Sequence, residues 1–410
     1  MTQSSSKSVS TPKKIALLVL GALTILTFVN ILEAGVSKLR GSDRAMAATE
    51  KGYEEGFLPM DEVAVRTDAD DGELMIEESF KVSSGDNFVV GVNDADLYVE
   101  TSDTDNAKVE VYLKSNNMNK GRDYFENQNY EVTQDGNSVF VKTYPKRKNF
   151  NWSGIRNLRI TVRASIPSDF NVTLKTADGD IVLGETSGEI MIQTSDGDVN
   201  TEFLSGPSIN IRTSDGDIAT ESMDAAQVSV ATSDGDIRLE DVDADDISVR
   251  TSDGDIMAAR LTGESSVSTS DGDIRIKAIE GAETAVRTSD GDIVTEMVDT
   301  NNAQFQTSDG SITLNSVAGD LTAKTSSGNL RVGLTEGGKV YLRSGDGDIH
   351  ISAPSDYSAE LMLRGERVRI ASGFQFDGKL KKNEAEGRIN GGEFTLEART
   401  SDGEVVFKEN

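Results

Sequence analysis

The phrase Thr-Ser-Asp-Gly-Asp begins at Thr194, Thr213, Thr232, Thr251, Thr269 and Thr288, and degenerate copies flank that run on both sides. Counted by the turn glycine, Gly179, Gly197, Gly216, Gly235, Gly254, Gly272, Gly291, Gly310, Gly328 and Gly347 follow at intervals of 18 or 19 residues. A fixed period of this size leaves few folds open, because so short a unit cannot bury an apolar face alone and must stack on its neighbours. Within one repeat, Ile247-Ser248-Val249-Arg250-Thr251 alternates inward and outward side chains, the turn follows, and Ile256 restarts the inward phase. That pattern predicts two short strands per coil. Asp-Gly between alternating apolar residues is also a hairpin signal, so an antiparallel meander competes. A single-layer meander leaves one apolar face in water, whereas a flattened β-solenoid encloses it. The expectation is an all-β chain built on a β-solenoid (β-helix) of about ten coils of 18–19 residues over 176–350.

Charge narrows the partners. Asp plus Glu number 70 against 41 Lys plus Arg, and a net charge of −29 argues against nucleic acid or anionic lipid as the main partner and favours cations and basic surfaces. The chain has no cysteine, which removes disulfides, thiolate catalysts and zinc-thiolate sites, and the single histidine, His350, leaves little metal or triad chemistry.

From Ile15 to Leu32, eighteen residues run without a charge, after Lys7, Lys13, Lys14 and a Ser/Thr-rich leader. This reads as one membrane-spanning helix over 15–34, with 1–14 as a cytoplasmic leader and the body on the far side, periplasmic or at the cell surface. Lys38, Arg40 and Arg44 weaken the charge asymmetry. A cleaved signal peptide is the alternative, since Ala45-Met46-Ala47 resembles a cleavage site, although it lies thirteen residues past an apolar run longer than usual for such a peptide. Residues 35–60 are polar and aperiodic, suited to a linker. Two-residue alternation then begins, as in Val109-Glu110-Val111-Tyr112-Leu113, and 61–175 reads as an N-terminal β section that caps the coils, without a helical period. Residues 351–410, ending in Thr400-Ser401-Asp402-Gly403-Glu404, read as the C-terminal β cap.

Glycine is needed in the turn because a positive φ costs little only there, and the flanking aspartates can bond nearby amides. Stacking at the ~4.8 Å strand spacing places like carboxylates in columns, where neighbours repel by roughly 1 kcal/mol in water. Arg212, Arg250 and Arg287 precede their turns, Arg238 and Arg275 follow theirs, and all five fall on outward positions, so each central turn gains one compensating arginine. The remaining oxygens offer a calcium site at Asp196, Asp198, Asp215, Asp217, Asp234, Asp236, Asp253, Asp255, Asp271, Asp273, Asp290 and Asp292. The other reading is a structural turn that merely attracts cations. Asp309-Gly310-Ser311 and Ser327-Gly328-Asn329 lose carboxylates, as a neutral ligand patch or as drift.

One basic and aromatic cluster stands out, with Lys146, Arg147, Lys148, Trp152 and Arg156 as candidate ligand-binding residues for a glycan or for another copy's acidic turns; a loop covering the end of the core is the alternative. The carboxylates are repeated rather than singled out, so no residue is assigned to catalysis.

The Thr-Ser-Asp-Gly-Asp-Ile coils, the Val-x-Val strands before them, and Gly391-Gly392-Glu393-Phe394-Thr395-Leu396 followed by Thr400-Ser401-Asp402-Gly403 resemble the bacterial "putative adhesin" domain-of-unknown-function family over roughly 80–410. The resemblance implies a bacterial β-solenoid, often anchored near the membrane, with no established enzymatic activity. The functional expectation is a non-catalytic, membrane-anchored, extracytoplasmic structural or interaction protein, an adhesin or envelope-associated binding surface. Alternatives are a carbohydrate-active or glycan-binding β-helix protein, and a calcium-binding or self-assembling solenoid.

Overall fold

The computed structural model describes residues 72–146 and 157–410, all within the compact unit Pro59–Asn410. The proposed anchor at 15–34, the linker at 35–60 and the start of the first β section lie outside the described residues.

The amino-terminal part holds β1 (Glu73–Lys81), β2 (Asn87–Gly91), β3 (Ala95–Thr101), β4 (Asn106–Lys114), the helix α1 (Met118–Gln128), β5 (Tyr130–Asp135) and β6 (Ser138–Thr143). It continues through β7 (Arg159–Ile166), β8 (Asn171–Lys175), β9 (Ile181–Leu183), β10 (Thr186–Ser187) and β11 (Ile190–Gln193). The regular coils are β12 (Val199–Arg212), β13 (Ile218–Ala231), β14 (Ile237–Arg250), β15 (Ile256–Ser268), β16 (Ile274–Arg287), β17 (Ile293–Gln306) and β18 (Ile312–Lys324). After them come β19 (Leu330–Leu334), β20 (Lys339–Arg343), β21 (Ile349–Ala353), β22 (Ala359–Arg364), β23 (Arg367–Ile370), β24 (Phe376–Leu380), β25 (Glu384–Ile389), β26 (Phe394–Arg399) and β27 (Glu404–Glu409).

Successive coils pair in parallel, residue on equivalent residue, as in Ile218 with Ile237 and Val228 with Ile247. Parallel pairing is what a solenoid requires and what a meander cannot give. The coil itself differs from the expected two strands. Each regular coil is one strand of 13 or 14 residues between turns, and its alternation breaks twice. In β14, Ile237 and Leu239, Val242 and Ala244, and Ile247 and Val249 point inward, while Glu240-Asp241 and Asp245-Asp246 point outward together. Two adjacent outward residues make a corner, so a coil has three inward pairs rather than two.

The inward residues align into columns. Leu97, Ile181, Val199, Ile218, Ile237, Ile256, Ile274, Ile293, Ile312, Leu330, Ile349 and Val405 each meet their neighbour and are at most 1% exposed. Burying each such side chain contributes roughly 1.5–3 kcal/mol, which is why stacking rather than the isolated coil stabilises the fold. The 18-residue coils absorb their missing residue at the second corner: the register slips between Asp243 and Asp246 opposite β15, where Gly263 has a φ of +129°.

Both ends depart from sequence order. The coil β2–β3 lies between β6–β7 and β8–β9, and the last coil, β26–β27, lies between β20–β21 and β22–β23. Antiparallel strands then close each end: β5 on β6, β4 on β7 and β1 on β4 at one, β25 on β22 and β24 on β25 at the other. Such strands cover edges that would otherwise template further pairing. Residues 394–409 are thus a coil of the stack in their own right, not only a cover for it.

The helix α1 was not expected. It is capped by Asn117, whose side chain accepts the Lys120 N–H at 3.3 Å, and by Asn129 with a φ of +52°. Gly121, Tyr124, Phe125 and Gln128 form its buried face at helical spacing, but only two of these are apolar, so the period is faint in the sequence.

Candidate binding surface on the stacked turns and their flanking columns

The repeated turn is held by the coil before it. In the turn that begins at Thr232, the threonine Oγ1 lies 3.0 Å from the Ser214 carbonyl and 3.1 Å from the Gly216 carbonyl, and it accepts the Gly235 N–H at 3.4 Å. Both Ser233 N–H and Asp234 N–H donate to the Ser214 carbonyl at 2.9 Å. The glycine's reason differs from the expected one: none of the ten turn glycines has a positive φ. A Cβ on Gly235 would instead sit 2.0 Å from the Gly216 carbonyl oxygen, and the same obstruction recurs along the stack. Glycine is required because the backbones of adjacent coils approach too closely for any side chain.

The two aspartates of the turn part company. The second accepts a backbone N–H from the next coil: Asp217 donates to Asp198 Oδ1 at 2.8 Å, Asp236 to Asp217 at 2.8 Å, Asp255 to Asp236 at 2.7 Å, Asp273 to Asp255 at 2.8 Å and Asp292 to Asp273 at 2.8 Å. The column continues through neutral acceptors, since Asn329 N–H meets Ser311 Oγ at 3.3 Å and Asp348 N–H meets Asn329 Oδ1 at 2.8 Å. Ser311 and Asn329 therefore keep the acceptor while dropping the charge. The column begins at Asp96 and ends at Glu404, and an arginine stands at each end: Arg159 Nε is 2.9 Å from Asp96 Oδ2, and Arg369 Nη2 is 2.7 Å from Glu404 Oε2. Burial pushes the Asp96 carboxyl above its ordinary value against the pull of Arg159.

The first aspartates, Asp196, Asp215, Asp234, Asp253, Asp271 and Asp290, are exposed and make no side-chain hydrogen bond or ion pair. The twelve candidate metal ligands thus divide into six bonded to backbone and six pointing to solvent, and no group of three or more His, Cys, Asp or Glu converges on one point among the described residues.

The expected arginine compensation holds at one turn. Arg275 lies 2.6 Å from Asp273 and 3.6 Å from Asp255. Arg212, Arg238, Arg250 and Arg287 make no ion pair. Arg212, Arg250 and Arg287 instead stand in a column of their own, separated in register by Ala231 and Ser268. Beside that column, small residues such as Asn210, Ser229, Ser248 and Ser266 floor a trough of about 520 Å³, with Asp246, Glu264 and Glu283 along its other rim.

Of the basic and aromatic cluster, Arg147, Lys148, Trp152 and Arg156 lie outside the described residues, and Lys146 donates its backbone N–H to Asn127 at 2.8 Å. A second basic group was missed. Lys324, Arg343, Arg364 and Arg399 line a trough of about 600 Å³ with Tyr341. They are scattered over 76 residues of sequence, and only the inward placement of β26 brings them together. The legible signal was the basic residue before the turn phrase, as in Arg343-Ser344 and Arg399-Thr400.

Several solved structures are similar to the chain. A "putative adhesin" from Bacteroides fragilis is 14% identical, covering 82% of this chain and 97% of its own at a TM-score of 0.28. A "putative lipid binding protein" from Parabacteroides distasonis is 13% identical, covering 81% and 96% at a TM-score of 0.26. A "putative cell adhesion protein" from Clostridium sporogenes is 10% identical, covering 82% and 100% at a TM-score of 0.15. No curated protein matches the sequence. The Toastrack DUF4097 family model matches residues 86–276 and 260–408, most of the chain and nearly all of its stacked coils, and the protein belongs to that family.

Proposed function

We propose that this is a non-catalytic, membrane-anchored binding protein of the bacterial envelope, adhesin-like in role, whose coils stand outside the cytoplasm as an interaction surface. The observation that carries the reading is the division of labour in the turn. Threonine hydroxyls and second aspartates are committed to bonds between coils, as at Thr232 and Asp236, so the repeat acts as a scaffold and the outward columns remain for contact. Support for the anchor comes from the eighteen uncharged residues Ile15–Leu32 after Lys13 and Lys14. Residues 1–14 would face the cytoplasm and 35–60 would act as the tether, while the β sections at 61–175 and 351–410 would each add coils to those at 176–350 and close the stack with antiparallel strands.

The experiment is a pair of reporter fusions, after residue 50 and after Asn410, combined with attachment assays on cells that express or lack the protein. Reporter activity outside the cytoplasm and weaker attachment without the protein are expected. A reporter active only in the cytoplasm, or attachment that does not depend on the chain, would overturn the proposal.

A further inference from the structure

Four cations occupy one outward column on consecutive strands near the carboxyl end of the stack. Lys324 pairs with Arg343, Arg343 with Arg399, and Arg399 with Arg364. At the ~4.8 Å spacing of paired strands, like charges directly opposite destabilise a sheet. Folding gains nothing from such an arrangement, and the rest of the column avoids it: Arg212, Arg250 and Arg287 alternate with Ala231 and Ser268. The charges are also unevenly answered. Arg399 lies 2.7 Å from Glu397 and Arg364 3.1 Å from Glu384, whereas Lys324 and Arg343 have no ion pair or side-chain hydrogen bond. All four side chains are exposed, in a chain of net charge −29. They border a trough of about 600 Å³, and Tyr341, 44% exposed, presents its ring there.

We propose that this trough binds an acidic polysaccharide laid along the stack. A polymer with one carboxylate or sulfate per sugar carries charges along its whole length that can meet several cations of the column at once. The guanidinium of Arg343 can take a carboxylate or sulfate through two N–H groups, and the Lys324 ammonium acts as a point charge. The Tyr341 ring offers an apolar face for the C–H side of a pyranose, with its hydroxyl free for water. The chain's overall negative charge repels a free polyanion at long range, so binding needs this local reversal of sign and will be lost as salt screens it. This ligand class deepens the reading of an adhesive surface and rests on it for its biological setting, but it stands or falls by a separate measurement.

Calorimetric titration of the full-length protein in detergent, with polygalacturonate, neutral dextran and inorganic polyphosphate, tests it. Polygalacturonate should bind and dextran should not. The K324S/R343S double variant should weaken binding about tenfold or more, the scale of losing two charge-assisted contacts. R250S/R287S, which removes isolated cations of the same column, should change it by no more than about twofold. Tyr341→Ala should weaken polygalacturonate but not polyphosphate. Thermal unfolding checks that both double variants are folded, and K324S/R343S should melt no lower than the parent because it relieves repulsion. Unchanged polygalacturonate affinity in K324S/R343S, equal losses in both double variants, or no binding at all would overturn the site. Polyphosphate binding as tight as polygalacturonate with no effect of Tyr341→Ala would overturn the glycan as its ligand. Polymer binding without cell attachment would sink the adhesin reading alone; attachment that depends on the chain without any polymer binding would sink this one alone.

Discussion

At the scale of the residue, the turn was legible as a repeat but not in its cause. Read within one coil, glycine suggests a positive φ; between two coils, it is the only residue that leaves room for the Gly216 carbonyl above Gly235. Gly235→Ala should therefore destabilise the protein by about 1–3 kcal/mol, as over-packing does, because backbone cannot step aside. Gly91→Ala, where an added Cβ meets nothing within 4 Å, should stay within about 0.5 kcal/mol. Urea unfolding of both variants checks the contrast, and equal losses would refute the account. The second aspartate was expected to bond local amides; its partner is the amide of the next coil, as Asp255 N–H on Asp236. Asp236→Asn keeps that acceptor, as Asn329 does naturally, and should be nearly neutral, while Asp236→Ala should cost about 0.5–1.5 kcal/mol. If the asparagine variant loses as much as the alanine variant, charge rather than acceptance matters in the column. The lone histidine gives a pH signature. Burial lowers the His350 pKa from 6.5, so the unfolded chain binds its proton more tightly, and stability should fall as pH drops through about 6.5 and below. His350→Gln should remove that component, seen as a difference between the two proteins' pH profiles of unfolding.

At the scale of the element, the repeat fixes the coil's length and its parallel stacking, because an 18- or 19-residue period with apolar alternation has no other way to hide its inward residues. The third inward pair was hidden by composition: in Asp243-Ala244-Asp245-Asp246 a single small Ala244 points inward among acids, which reads as a turn. Coils should be removable as units. Deleting residues 233–251 joins Thr232 to Ser252 without changing phase, and should leave one cooperative urea transition with a slightly smaller slope. Ending the chain at Asn390 removes β26 and β27 from between two other coils, exposing four strand edges. That protein should aggregate or lose its cooperative transition, which gel filtration and urea unfolding would show. Comparable behaviour of the two deletions would contradict the stacking order.

At the scale of the whole molecule, the charge of −29 is less free than its count suggests, since one aspartate of each regular turn is bonded to backbone. Thermal unfolding with calcium, with magnesium and with chelator at matched ionic strength should give equal shifts for both ions, the signature of screening along the exposed first aspartates. A rise specific to calcium would turn that column into a metal site. The order of the terminal coils could not be read from the chain, because nothing in a strand's own pattern says which neighbour it will join. The basic trough shared that fate, being assembled from β18, β20, β22 and β26. That same tucking of the first and last coils decides how such a protein can change over generations. With both ends locked by out-of-sequence strands, a recombination slip between near-identical repeats can add or drop coils only in the interior. Lineages are thereby free to lengthen or shorten the stack in steps of ~4.8 Å while inheriting both closures unaltered.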